Sequence, residues 1–122
     1  MPTEKKTLVI GASNNPDRYS YLALKKLQAN HHPVAAIGVK NVVVAGVQIY
    51  TTQLQFENIH TVSIYINPSL QASYYSYLIN LKPKRIIFNP GTENHELAAL
   101  AAAQGIEVIE ACTLVMLAAG TY

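Results

Sequence analysis

Residues 8–27 read LVIGASNNPDRYSYLALKKL. Leu8, Val9 and Ile10 form an apolar run with no polar alternation, as in a strand covered on both faces. Gly11 opens a polar loop, and apolar residues at helical spacing follow, with Leu24 and Leu27 on one face. Strand, loop and helix in this order are the opening unit of a parallel sheet.

The pattern continues outward from this unit. Thr7–Gly11 is the first strand, and Ser20 suits the cap of a helix from Tyr21 to about Asn30. Pro33 restarts the chain into a second strand, Val34–Val39. Asn41–Phe56 (NVVVAGVQIYTTQLQF) reads as a loop, a short extra strand and part of a turn. Thr61–Ile66 is the third strand. Asn67 then suits a cap and Pro68 a first helical position, for a helix reaching about Leu81. Arg85–Phe88 is the fourth strand, and Asn89-Pro90-Gly91-Thr92 a turn whose Thr92 can cap a helix ending near Gln104-Gly105. Glu107–Ile109 is the fifth strand, followed by a short helix. The alternation predicts one α/β domain over residues 1–122. Its core is a doubly wound parallel sheet of about five strands, with helices on both faces and right-handed crossovers. The alanines among residues 98–103 make one helix thin, which suits close packing on the sheet.

Composition narrows the class. In 122 residues, 50% are hydrophobic and 13% charged, which excludes a disordered chain. The net charge is only +2 and the basic residues are scattered, so no nucleic-acid partner is expected. The single cysteine, Cys112, has no partner within the chain, as suits a reducing cytoplasm. The first apolar run is too short for a signal peptide, and none approaches the roughly 18 residues that span a membrane. A soluble cytoplasmic protein is expected.

Ligands of open parallel sheets bind beyond the carboxyl ends of the strands, where strand order reverses. Gly11-Ala12-Ser13-Asn14-Asn15 and Arg18 follow the first strand, and Gly38-Val39-Lys40 the second. Asn67-Pro68 follows the third, Asn89-Pro90-Gly91-Thr92 the fourth, and Glu110-Ala111-Cys112 the fifth. Small, polar and basic groups gather at this edge, which points to an anionic nucleotide-like ligand. Backbone amides of the loop and helix start would face a phosphate. The loop lacks the G-x-G-x-x-G spacing of a dinucleotide site, because Ala12, Ser13 and Pro16 replace further glycines. The second strand ends in Lys40, where an NAD site wants an acid for the ribose hydroxyls. A lysine there fits a phosphate on the ribose, as in NADP or in coenzyme A with its 3′-phosphate.

Together these residues resemble the small CoA-binding domain family of Rossmann-like proteins. It includes stand-alone YccU-type proteins and the N-terminal domain of succinate–CoA ligase alpha subunits. The resemblance rests on Val9-Ile10-Gly11-Ala12-Ser13, Pro16-Asp17-Arg18 with Ser20-Tyr21, Lys40, and Gly46 followed by Tyr50. It continues through Asn67-Pro68, Asn89-Pro90-Gly91 with Glu93-Asn94, and Gly105-Ile106 to Cys112. It implies a three-layer Rossmann-like fold and a binding mode. The Gly11–Ser20 loop would hold the CoA diphosphate and Lys40 would face the adenosine phosphate. Ile66-Asn67-Pro68 would lie against adenine or ribose, and Asn89-Pro90-Gly91 would flank the pantetheine. Two stretches depart from the family pattern. Gly38-Val39-Lys40 lacks the family's Asn-Pro before the lysine, and Asn89-Pro90-Gly91 stands where stand-alone members often have Gln-x-Gly.

Catalytic groups are sparse at this edge. His31, His32 and His60 fall at the opposite edge, and Glu93 at a helix start suits the dipole. Cys112 reads as a buried structural thiol. The expectation is a stand-alone CoA or acyl-CoA binder, a carrier or sensor without catalysis. Two rivals are an NADP-binding oxidoreductase-like protein and an interaction module with a drifted pocket. Tyr74, Tyr75 and Tyr77 support the second rival, and with it a homo-oligomer, since tyrosines favour interfaces.

Overall fold

The Leu8-Val9-Ile10 run lies at the centre of a seven-stranded sheet, each of its residues fully buried. The computed structural model describes residues 4–122. Strand β1 (Thr7–Ala12) pairs in parallel with β2 (Val34–Gly38) on one side and β5 (Thr61–Ile64) on the other. Beyond β5 come β6 (Arg85–Phe88) and β7 (Glu107–Glu110), both parallel. Beyond β2 come β4 (Val47–Tyr50), parallel to β2, and β3 (Val42–Val44), antiparallel to β4. The order is therefore β3-β4-β2-β1-β5-β6-β7.

The two strands beyond the expected five come from the Asn41–Phe56 stretch. Ala45 and Gly46 both take positive φ, 51° and 80°, the form of a two-residue hairpin turn whose twist matches its strands. Val44, Val47 and Ile49 face the core, while Val43 is exposed on the sheet edge. At the other edge, Glu107 and Glu110 are exposed.

Helices cover both faces, giving three layers. Helices α1 (Tyr19–Ala29) and α4 (Thr113–Ala119) pack over Val9, Ala36, Ile49 and Ile87 through Leu24, Leu27 and Leu117. Helices α2 (Tyr75–Leu81) and α3 (His95–Ala103) pack over Leu8, Ile10, Ile64 and Phe88 through Leu78, Leu97 and Ala101. Of the alanine run, Ala101 is buried and Ala98 partly so, while Ala99, Ala102 and Ala103 face solvent. Tyr74, Tyr75 and Tyr77 pack against this second core. Tyr75 accepts a hydrogen bond from Asn94 and Tyr77 donates one to the Leu54 carbonyl.

Three helix starts differ from expectation. Helix α1 begins at Tyr19, so Ser20 lies inside its first turn, buried, and caps nothing. The long helix after Asn67 is broken into two single 3-10 turns, Pro68–Leu70 and Ala72–Tyr74, ahead of α2. The break follows from Gln71, whose buried amide donates to the carbonyls of Ile66 and Thr92 at 3.0 and 2.8 Å and draws the chain inward. Helix α3 is capped by Asn94, which accepts from the amides of Glu96 and Leu97. Thr92 instead closes the preceding turn by donating to the Asn89 carbonyl. Asn67 caps as expected, over the Pro68–Leu70 turn.

Candidate functional site

The direction of winding reverses between β1, which leads to β2, and β5, which lies on the other side of β1. The crevice of a doubly wound sheet opens at such a point, beyond the carboxyl ends of these strands. Two glycines let the strand ends close up there. A Cβ on Gly11, whose φ is +89°, would stand 2.8 Å from Ile66 Cγ2. A Cβ on Gly38 would stand 2.2 Å from the Ala12 carbonyl oxygen.

The loop between β1 and α1 is set by its own side chains. Ser13 Oγ accepts from the Asn15 amide at 3.0 Å, and Asn15 Oδ1 accepts from the Asp17 amide at 2.9 Å. Arg18 occupies the cap position of α1 with no side-chain cap, and the first turn carries no acid. The positive end of this helix is therefore open to an anion.

Two adjoining hollows flank the loop and share Ala12, Ser13, Arg18 and Val39. The smaller, of about 220 Å³, adds Asn14, Asn15, Lys40, Val42 and Ile49. The larger, of about 550 Å³, runs along the crevice past Gly11, Tyr19 and Ser20 to Tyr65, Ile66, Asn67, Leu70, Pro90 and Thr92. Among the described residues, no Asp or Glu lines either hollow. Three large apolar side chains stand in water around them: Val39 is 91% exposed, Tyr19 72% and Leu70 62%.

Twelve of the fifteen residues expected at the site line these hollows. Pro68, Asn89 and Gly91 do not. Pro68 starts the turn that presents Leu70, and Gly91 (φ +90°) belongs to the turn after β6. Asn89 points inward. Its amide donates to Ser63 Oγ and the Ile64 carbonyl, both at 2.9 Å, and accepts from the Thr113 amide at 2.8 Å. It ties β5 and β6 to α4 and supports the crevice from below. Tyr19, Val42, Ile49, Tyr65 and Leu70 also line the hollows without having been singled out from sequence, as does Thr92, which was expected in the turn after the fourth strand. The neighbours of Tyr19 and Tyr65 in sequence were the available signal; Val42 and Ile49 depend on the hairpin.

Tyr65 stands out chemically. Its hydroxyl is fully buried and, among the described residues, makes no hydrogen bond. Burial pushes its pKa up to about 12, with the nearby Thr113 and Ser63 hydroxyls offsetting part of the effect. The histidines before β2 and β5 lie away from the hollows, at the opposite edge of the sheet. His32 Nδ1 accepts from the Lys5 amide, and His60 Nδ1 pairs with Thr61 Oγ1 at 2.7 Å. Cys112, at the start of α4, is half-buried rather than enclosed. No helix among the described residues is long and apolar enough to cross a membrane.

The profile of the CoA binding domain family matches residues 5–118. A crystal structure of an uncharacterized protein is 47% identical and superposes with a TM-score of 0.95, over 98% of this chain and 99% of the other. A hypothetical protein from Pyrococcus horikoshii OT3 is 25% identical, with a TM-score of 0.84 over 92% of this chain and 80% of the other. The cell-free ID.343 protein from Thermus thermophilus shares the fold at 18% identity, with a TM-score of 0.86 over 98% and 91% of the two chains. No curated protein matches the sequence.

Proposed function

This chain belongs to the CoA binding domain family, and we propose that it is a stand-alone module that binds CoA or acyl-CoA as a carrier or sensor, without catalysis of its own. The observation that carries this reading is the acid-free hollow lined by Lys40 and by Ser13, Asn14, Asn15 and Arg18 of the loop between β1 and α1. The diphosphate would sit on the Gly11–Ser20 loop, against the uncapped amides of α1. The 3′-phosphate would meet Lys40, with the adenosine over Val39, Val42 and Ile49. Ile66 and Asn67 line the larger hollow together with Pro90, so this reading moves them from the adenine to the pantetheine arm.

Calorimetric titration with CoA, dephospho-CoA, NADP and NAD tests the reading. The expected result is micromolar binding of CoA, weaker binding of dephospho-CoA, and no heat with NAD. Silence with CoA, or preference for NADP, would overturn it.

A further inference from the structure

The crevice does not end at the loop. It continues past Tyr65 and Ile66 to Leu70, Pro90 and Thr92. Leu70 is 62% exposed there, yet it is not on a loose segment. Asn67 Oδ1 accepts from the amide and hydroxyl of Ser69, both at 2.9 Å, and Gln71 anchors the next residue to Ile66 and Thr92. A leucine fixed in water at the mouth of a crevice is a preformed apolar contact, and a ligand meeting it loses little to ordering.

Charge at this end is one-sided. Among the described residues, Arg18 is the one charged side chain lining the larger hollow, and it belongs to the loop. Just beyond Pro90, Glu93 Oε1 accepts from the Gly91 amide at 2.9 Å, which holds a carboxylate beside the far end. A ligand ending in a carboxylate would find, among the described residues, no cation lining the hollow beyond Arg18. A ligand ending in methylenes would meet Leu70, Ile66 and Pro90.

We infer that the group carried on the CoA sulfur is a neutral, short aliphatic acyl chain rather than a dicarboxylic one, lying on Leu70 and Pro90. This rests on the reading of the groove as a CoA site, with the pantetheine arm running from the loop toward Pro90.

The test is an affinity ladder on the wild-type protein and on Leu70→Ser. The ligands are CoA, acetyl-CoA, butyryl-CoA, hexanoyl-CoA, succinyl-CoA and adenosine 3′,5′-bisphosphate. Full burial of a methylene would raise affinity about fourfold, so a chain lying on an open wall should gain about twofold per methylene. Succinyl-CoA should bind several-fold more weakly than butyryl-CoA. Leu70→Ser should flatten the ladder and leave the bisphosphate at wild-type affinity, which also reports an intact fold. A flat wild-type ladder, a ladder that survives Leu70→Ser, or succinyl-CoA binding as well as butyryl-CoA would overturn the inference and leave the CoA site standing. Failure of the wild-type protein to bind CoA or any ester would remove both.

Discussion

Among the described residues, the buried Tyr65 hydroxyl makes no hydrogen bond of good geometry. A buried hydroxyl without a partner costs about 1–3 kcal/mol of desolvation. Tyr65→Phe should therefore stabilise the protein by about 1 kcal/mol, read as a raised urea midpoint at unchanged slope. Lys40 is exposed and free of such cost. Lys40→Ala should leave stability unchanged, weaken CoA several-fold, and leave dephospho-CoA untouched; equal loss for both ligands would remove Lys40 from the phosphate. Gly11→Ala would combine a φ of +89° with a methyl 2.8 Å from Ile66. It should cost about 1–3 kcal/mol and lower CoA affinity as the crevice is forced open. The placement of Gly11 and Lys40 beside the hollows was legible in the sequence because each stands at the carboxyl end of an apolar strand run. Asn89 was not. An amide follows its partners, and these, Ser63 and Thr113, come from elements far from it in the chain. Leu70 was hidden for the opposite reason, since only the folded turn shows it to be unburied.

Local chemistry decided the elements unevenly. The apolar runs of β1, β2, β5 and β6 declared themselves, because strands buried on both faces leave no room for polar residues. Caps were harder, because several short polar residues compete near each helix start. Asn67 was assigned correctly, but Asn94 took the role expected of Thr92, and α1 begins with no capping side chain. Asn94 also donates to Gln71 Oε1 at 3.0 Å and to the Tyr75 hydroxyl at 2.9 Å, binding α3 to the segment that carries Leu70. Asn94→Ala should lose more than the roughly 1 kcal/mol of an ordinary cap. Asn94→Ser should restore the cap alone, and the difference between the two in urea unfolding measures the tie to Gln71 and Tyr75. The β3–β4 hairpin was half-legible. Its valines read as a strand, but the turn places Ala45, a residue with no preference for positive φ, where Asn or Gly is usual.

Across the whole molecule, charge and sheet order act together. At the edge opposite the crevice, His32 and His60 are both held below the ordinary histidine value of 6.5, in each case chiefly by burial. Lys5 and Arg85 add to the effect on His32 against Glu4, while Arg85, Lys5 and Lys84 add to it on His60 against Glu107. The unfolded chain thus takes up these protons at a higher pH than the folded one. Their contribution is complete above the unfolded value of 6.5 and declines as the pH falls below it. Urea midpoints should drop as the pH falls below about 6.5, and replacing both histidines with glutamine should flatten that drop. The doubly wound class was legible from the alternation of elements alone; the strand order was not, because periodicity does not say which strands are neighbours. That order has a consequence for synthesis. β1 lies between β2 and β5, so its second neighbour is the fifth strand to leave the ribosome. While β3 and β4 are being translated, the fully buried Leu8-Val9-Ile10 strand can pair with β2 alone and has one flank bare. Until Thr61–Ile64 emerges, the growing polypeptide is half a sheet with an open edge, and this interval is when chaperone capture or pairing with a neighbouring polysome product is expected to be greatest.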